Sequence, residues 1–106
     1  MKQGLSESCH LFFSTLGNPT RLAILELLRQ GSRNVTEITQ VLGQEQSMIS
    51  HNLRRLVRCG FVFVERQGKE RIYSLNTRTM DPLFELIDFH VQNYCPKKGA
   101  CRYRKK

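Results

Sequence analysis

The stretch NVTEITQVLGQEQSMISHNLRRLVRCG, residues 34–60, decides the fold. Asn34, followed three residues later by Glu37, is the cap-and-acid pair that opens a helix, because each side chain satisfies an otherwise open backbone donor. Val35, Ile38, Thr39 and Leu42 share one side of that helix, and Gly43 closes it after two turns. A second helix starts almost at once and is predicted to run from about Glu45 to Cys59. Within it Ile49, Leu53, Leu56 and Val57 form an apolar stripe, while Ser47, His51, Arg54 and Arg58 recur at helical spacing on the opposite side. One face is predicted to be core, the other basic.

Past Gly60 the pattern turns β-branched and aromatic. Phe61–Val64, the turn Gln67-Gly68-Lys69 and Ile72–Leu75 read as a β-hairpin with Arg66, Lys69 and Arg71 near its tip. Upstream, Leu5, Cys9, Phe12, Phe13 and Leu16 mark one face of a first helix over residues 5–16. Asn18 as cap and Pro19 in the first helical position start a second helix, expected to reach about Gln30 with Leu22, Leu25 and Leu28 facing inward. Downstream, Asp81-Pro82 reads as the start of a last helix striped by Leu83, Ile87, His90, Val91 and Tyr94, with Pro96 as its stop. The expected fold class is mostly α with a β-hairpin wing: a winged helix-turn-helix of four helices, two strands and a final helix. It is expected as one domain over residues 1–95, followed by a basic tail over 96–106.

A chain of 106 residues buries a limited fraction of its surface, so pairing with a second copy would add to its core. Lys and Arg outnumber Asp and Glu by 17 to 9, which favours a polyanionic partner, with double-stranded DNA first. Six of those cations, Lys97, Lys98, Arg102, Arg104, Lys105 and Lys106, lie in the tail, so charge alone does not decide. Arrangement does. A short helix, a tight turn, an amphipathic basic helix and a basic hairpin together describe a reader of the major groove. His51 and Arg54 are the expected base contacts, with Gln46, Ser47, Ser50 and Arg58 beside them; Arg66, Lys69 and Arg71 are expected on phosphates. A merely solvated helix face would use the same residue types, and the co-occurrence with the hairpin separates the two readings.

No apolar run approaches the roughly 20 residues of a membrane span, and the start of the chain lacks a signal-peptide pattern, so a cytoplasmic location is expected. There Cys9, Cys59, Cys95 and Cys101 would not form constitutive disulfides. His10, His51 and His90 fall on three different helices with no nucleophile elbow or phosphate loop, which argues against an enzyme. An effector-independent DNA-binding protein, and a winged helix that docks an acidic protein, are the alternatives.

The segments NPTRLAIL (18–25), QSMISHNL (46–53), CGFV (59–62) and RQGKERIY (66–73) resemble successive motifs of the ArsR/SmtB repressor family, over roughly residues 8–95. The resemblance implies a homodimer paired through its first and last helices, bound as a repressor to an imperfect palindromic operator and released by an effector. Two positions depart from the family pattern: Asn52 stands where His is frequent, and Glu45 where Ser is usual. Both are read as polar positions off the apolar stripe that alter operator preference.

The family's effector sites map unevenly onto this chain. Its Cys-x-Cys site for arsenic, cadmium and lead falls on Asn34–Thr36, which offers no thiolate. Its zinc-type site is matched in its first half by Asp88 and His90, but the later positions are Cys101 and Arg104, beyond Pro96. A packed interface histidine is the other reading of His90. Cys95 resembles a redox-switching thiol whose usual partner position is Glu26 here, leaving Cys9 or Cys101 to pair with it. Cys59 resembles a cadmium or lead ligand whose neighbour one turn earlier is Arg55; its plainer reading is a small buried residue closing the helix. The expected effector is a metal ion of the zinc, cadmium, lead or arsenic class held by thiolates, or a redox signal, or none.

Overall fold

A computed structural model describes residues 3–95, in the order α1 (Gln3–Leu16), α2 (Pro19–Leu28), β1 (Arg33–Asn34), α3 (Val35–Leu42), α4 (Gln46–Arg58), β2 (Val62–Gln67), β3 (Glu70–Leu75) and α5 (Thr77–Tyr94). The chain divides into two compact units, the first ending at Asn76 and the second beginning at Thr77. The expected tail over 96–106 lies outside the described residues.

In the first unit the helix-opening signals act as written. Asn18 Oδ1 accepts the Arg21 backbone N–H at 3.0 Å, with Pro19 at the first helical position. Asn34 Oδ1 accepts from Glu37 N at 2.8 Å while Glu37 Oε1 accepts from Asn34 N at 3.0 Å, a complete capping box. Gly43, at φ 67°, donates its N–H to Thr39 O and ends α3 in the left-handed region that a side chain would resist. That tight stop lets α4 begin at Gln46, with Glu45 as a cap residue that makes no side-chain bond.

Ile24, Leu25, Ile38, Ile49, Leu53, Leu56 and Val62 are fully buried. At about 1.5–3 kcal/mol per side chain removed from water, this cluster is the main force fixing the helices of the first unit. Three expectations need correction. The core of α2 is Ile24, Leu25, Leu27 and Leu28, leaving Leu22 exposed, and the helix stops at Leu28 rather than near Gln30. On α1, which begins at Gln3, Leu16 is buried but Leu5 and Phe13 are 53% and 63% exposed. A third strand, β1, pairs antiparallel with β3 through Arg33↔Tyr73 and Asn34↔Ile72, giving the sheet order β1-β3-β2.

The hairpin turns on Gly68-Lys69, with Gln67 opposite Glu70. Gly68 has φ 63° and Lys69 does not share that sign, the pattern of a two-residue turn whose twist matches the strands.

In the second unit α5 begins at Thr77, four residues before the expected start at Asp81-Pro82. Pro82 lies inside the helix near its beginning, where its missing N–H removes one backbone bond, a cost the rest of an 18-residue helix outweighs. Met80 and Phe84 are buried and Leu83 and Val91 half-buried. Ile87, His90 and Tyr94 of the expected apolar stripe are instead exposed in the single chain, and the His90 and Tyr94 rings sit 5.3 Å apart along the helix. No described helix is long and apolar enough to cross a membrane.

Candidate nucleic-acid interface

Helix α4 has two faces of opposite character. Ile49, Leu53 and Leu56 are fully buried, whereas Gln46, Ser47, His51, Arg54 and Arg58 are exposed and Ser50 is half-buried. The wing repeats this division along one strand face. At its base Val62 and Leu75 stand opposite each other and are buried; next come Val64 and Tyr73; at the tip Arg66 faces Arg71. The same period-two face that packs the core thus ends in two arginines where the hairpin leaves the body.

These two surfaces meet. A groove of about 460 Å³ is lined by Ser50, Arg54, Val57 and Arg58 of α4 and by Val64, Arg71 and Tyr73 of the wing, with Val35 of α3. A second groove, about 390 Å³, lies between the start of α3 and the tip, lined by Asn34, Thr36, Arg66, Lys69 and Arg71 among others. Arg66 and Arg71 are direct cross-strand partners, and like charges so placed repel unless an anion sits beside them. Glu70, next to Arg71 on β3, accepts a hydrogen bond at its Oε2 from Asn34 Nδ2 at 3.2 Å. That bond also ties the wing to the capped end of α3.

Asn52 does not belong to this surface. It was expected to be polar and off the apolar stripe; it is 6% exposed, on the inner side of α4 beside that stripe. Its Oδ1 accepts from Arg21 Nε at 2.9 Å and its Nδ2 donates to Met48 O at 2.9 Å. Arg21 was not singled out by sequence reasoning as a functional residue. The signal was present: an arginine in the first turn of α2, where the helix dipole disfavours a cation, must answer to something elsewhere.

The thiols are dispersed. Cys59, expected as a small buried residue, is exposed, and its Sγ lies 3.6 Å from the Oγ1 of buried Thr15. Cys9 and Cys95 are half-buried, Asp88 and His90 are exposed, and Cys101 lies outside the described residues. Among the described residues no three His, Cys, Asp or Glu side chains come together as a metal ion requires.

A short helix, a glycine-closed turn, a two-faced helix and a cationic hairpin over one groove define a winged helix-turn-helix domain. Residues 18–63 match the family model described as "Bacterial regulatory protein, arsR family". The chain is 37% identical over 78 residues to the HTH-type transcriptional regulator NmtR of Mycobacterium tuberculosis, covering 74% of this chain and 65% of that one. It is 39% identical over 64 residues to the "Probable mercury resistance operon repressor" of Streptomyces lividans, covering 60% and 51%. The matched part thus spans about half to two thirds of the length of those two relatives. Among solved structures, the homodimeric winged helix-turn-helix DNA-binding domain of a possible ArsR-family regulator from Mycobacterium bovis superimposes with a TM-score of 0.76 at 30% identity, covering 84% of this chain and 82% of that domain. This chain belongs to the ArsR family of transcriptional regulators, a family of DNA-binding proteins rather than enzymes.

Proposed function

We propose that this chain is a homodimeric repressor of transcription that reads an imperfect palindrome with α4 and holds phosphates with the wing. The observation that carries this reading is the shared groove, in which Ser50, Arg54 and Arg58 of the helix stand beside Arg71 of the hairpin. Serine and arginine are side chains that hydrogen-bond base edges, and arginines set at the rim position the protein on the backbone. His51 and Arg54 are the main base contacts, with Gln46, Ser47, Ser50 and Arg58 next to them; Arg66, Lys69 and Arg71 take phosphates.

Fluorescence anisotropy of the reduced protein on its own upstream DNA tests this. Operator DNA should bind about a thousandfold more tightly than random DNA, and affinity should fall steeply with salt. Equal affinity for both would remove the reading.

Release from the operator is proposed to follow a thiol-directed signal, either a soft metal ion or an oxidant. Two observations favour it: the exposed Cys59 thiol, and the mercury-resistance repressor among the relatives. The described residues of one chain do not by themselves fit a metal ion, so Cys101 or a second copy would have to supply ligands. Release by cadmium or zinc that disappears on replacing Cys95 and Cys101 with Ser would identify a thiolate site. Binding indifferent to metals and oxidants would identify a regulator without such an effector.

A further inference from the structure

Arg21 reaches three elements of the first unit from one position. Its backbone N–H is fixed by the Asn18 cap at the start of α2. Its guanidinium donates from Nε to Asn52 Oδ1 of α4 at 2.9 Å and from Nη1 to the Thr15 carbonyl near the end of α1 at 3.2 Å. Asn52 in turn is anchored to its own helix through Met48 O. A guanidinium holds its donors in a rigid planar fork, so two bonds of this kind fix both the distance and the angle between what they join.

The hydrophobic stripe of α4 sets that angle only coarsely. Ile49, Leu53 and Leu56 press the helix inward, but apolar contact is non-directional and tolerates small rotations about the helix axis. Base readout does not tolerate them, because a contact constellation must be held to within about 0.5 Å and 10–20°. Asn52 is the polar side chain on the inner side of α4 that is buried, and among the described residues its hydrogen-bond partner outside the helix is Arg21. The position of Arg21 in the first turn of α2 opposes that helix's dipole, a local cost that bonding at both Thr15 and Asn52 offsets.

We infer that Arg21 and Asn52 are positioning residues for operator recognition, setting the rotation of α4 about its axis so that His51 and Arg54 meet base edges together. The inference rests on the proposed reading of DNA by α4. It assigns sequence preference, rather than overall affinity, to a pair of residues that touch no DNA. The wing and tip cations are not part of the pair, so contacts to phosphate survive its loss.

Anisotropy on operator and on random DNA, with folding followed by urea unfolding, tests the inference on Asn52→Ala, Asn52→Asp and the double variant Arg21→Met/Asn52→Leu. Operator preference in Asn52→Ala should fall by about tenfold or more, equivalent to losing one good base contact, with random-DNA affinity and its salt slope unchanged. Asn52→Asp keeps an acceptor for Arg21 but loses the donor to Met48 O, so it should recover the preference in part; because the readout is a ratio, an added charge that weakens all sequences alike cancels. The double variant replaces both side-chain partners by apolar groups of similar size, so the groups it deprives of a side-chain donor are the Thr15 and Met48 carbonyls, and it keeps the fold measurable if Asn52→Ala is too unstable. A folded double variant that still prefers operator overturns the inference, as does a parallel loss on both DNAs or no recovery in Asn52→Asp. Wild-type protein without operator preference, or Arg54→Ala that keeps it, would instead overturn the reading of α4 on which the inference stands.

Discussion

Two residues two positions apart on α4 illustrate how burial divides labour. Arg54 is exposed over the groove, and Asn52 is buried on the inner side with Arg21. Arg54→Ala should leave stability within about 0.5 kcal/mol in urea unfolding, because no buried group loses a partner. The same variant should lose about 1–3 kcal/mol of discrimination at one base pair of the operator in a competition anisotropy assay. Asn52→Ala has the opposite signature in stability: it strands the Arg21 Nε donor and should destabilise by about 1–3 kcal/mol. The exposure of Arg54 was legible from helical spacing alone. The buried bond of Asn52 was not, since its partner lies 31 positions away in sequence and periodicity reports only the face, not what sits opposite it.

At the scale of elements, the signals that were legible are those whose chemistry is local. Asn34 with Glu37, Asn18 with Pro19, Gly43 and the Gly68 turn all act within four residues of themselves, and each fixed an end of an element. Strand β1 was invisible because two residues carry no alternation, and its pairing with β3 is created by a fold the local sequence does not contain. Asp81-Pro82 misled for the converse reason: a good local start signal was absorbed into a helix that had already begun at Thr77. Asn34→Ala should cost about 1–2 kcal/mol by urea unfolding, the upper part of the range for a lost cap, because the bond to Glu70 goes with it. Gly68→Ala should cost about 1–2 kcal/mol, since φ 63° is unfavourable for any residue with a side chain. A smaller loss than 0.5 kcal/mol at either site, on the same about-1-kcal/mol scale of caps and turns, would mean the element is held by packing alone.

For the molecule as a whole, charge placement and exposed apolar surface make separate predictions. Replacing Arg66 and Arg71 together by Ala should lower the slope of log affinity against log salt by about 0.9 for each phosphate contact removed, on operator and random DNA alike. An unchanged slope would take the wing off the DNA. Leu86, Ile87, Phe89 and Tyr94 of α5 are 63%, 44%, 57% and 55% exposed in the single chain. The proposed homodimer gives such surface a place, so sedimentation should report twice the 12.4 kDa chain mass at micromolar concentration. Phe89→Glu should return the monomer and weaken operator binding, while a wild-type monomer would argue against pairing of copies. Overall architecture and the groups facing the groove were readable from the sequence. The role of the thiols was not, because whether Cys9, Cys59, Cys95 and Cys101 converge depends on tertiary and quaternary neighbours that spacing does not encode.

The separation of the two faces of α4 also bears on how such a regulator can change over time. Gln46, Ser47, His51 and Arg54 project outward, while the core and the Arg21–Asn52 pair hold the helix from the other side. The outward alphabet can therefore be rewritten one letter at a time at little thermodynamic risk, letting gene duplicates drift apart in the promoters they govern while sharing one chassis.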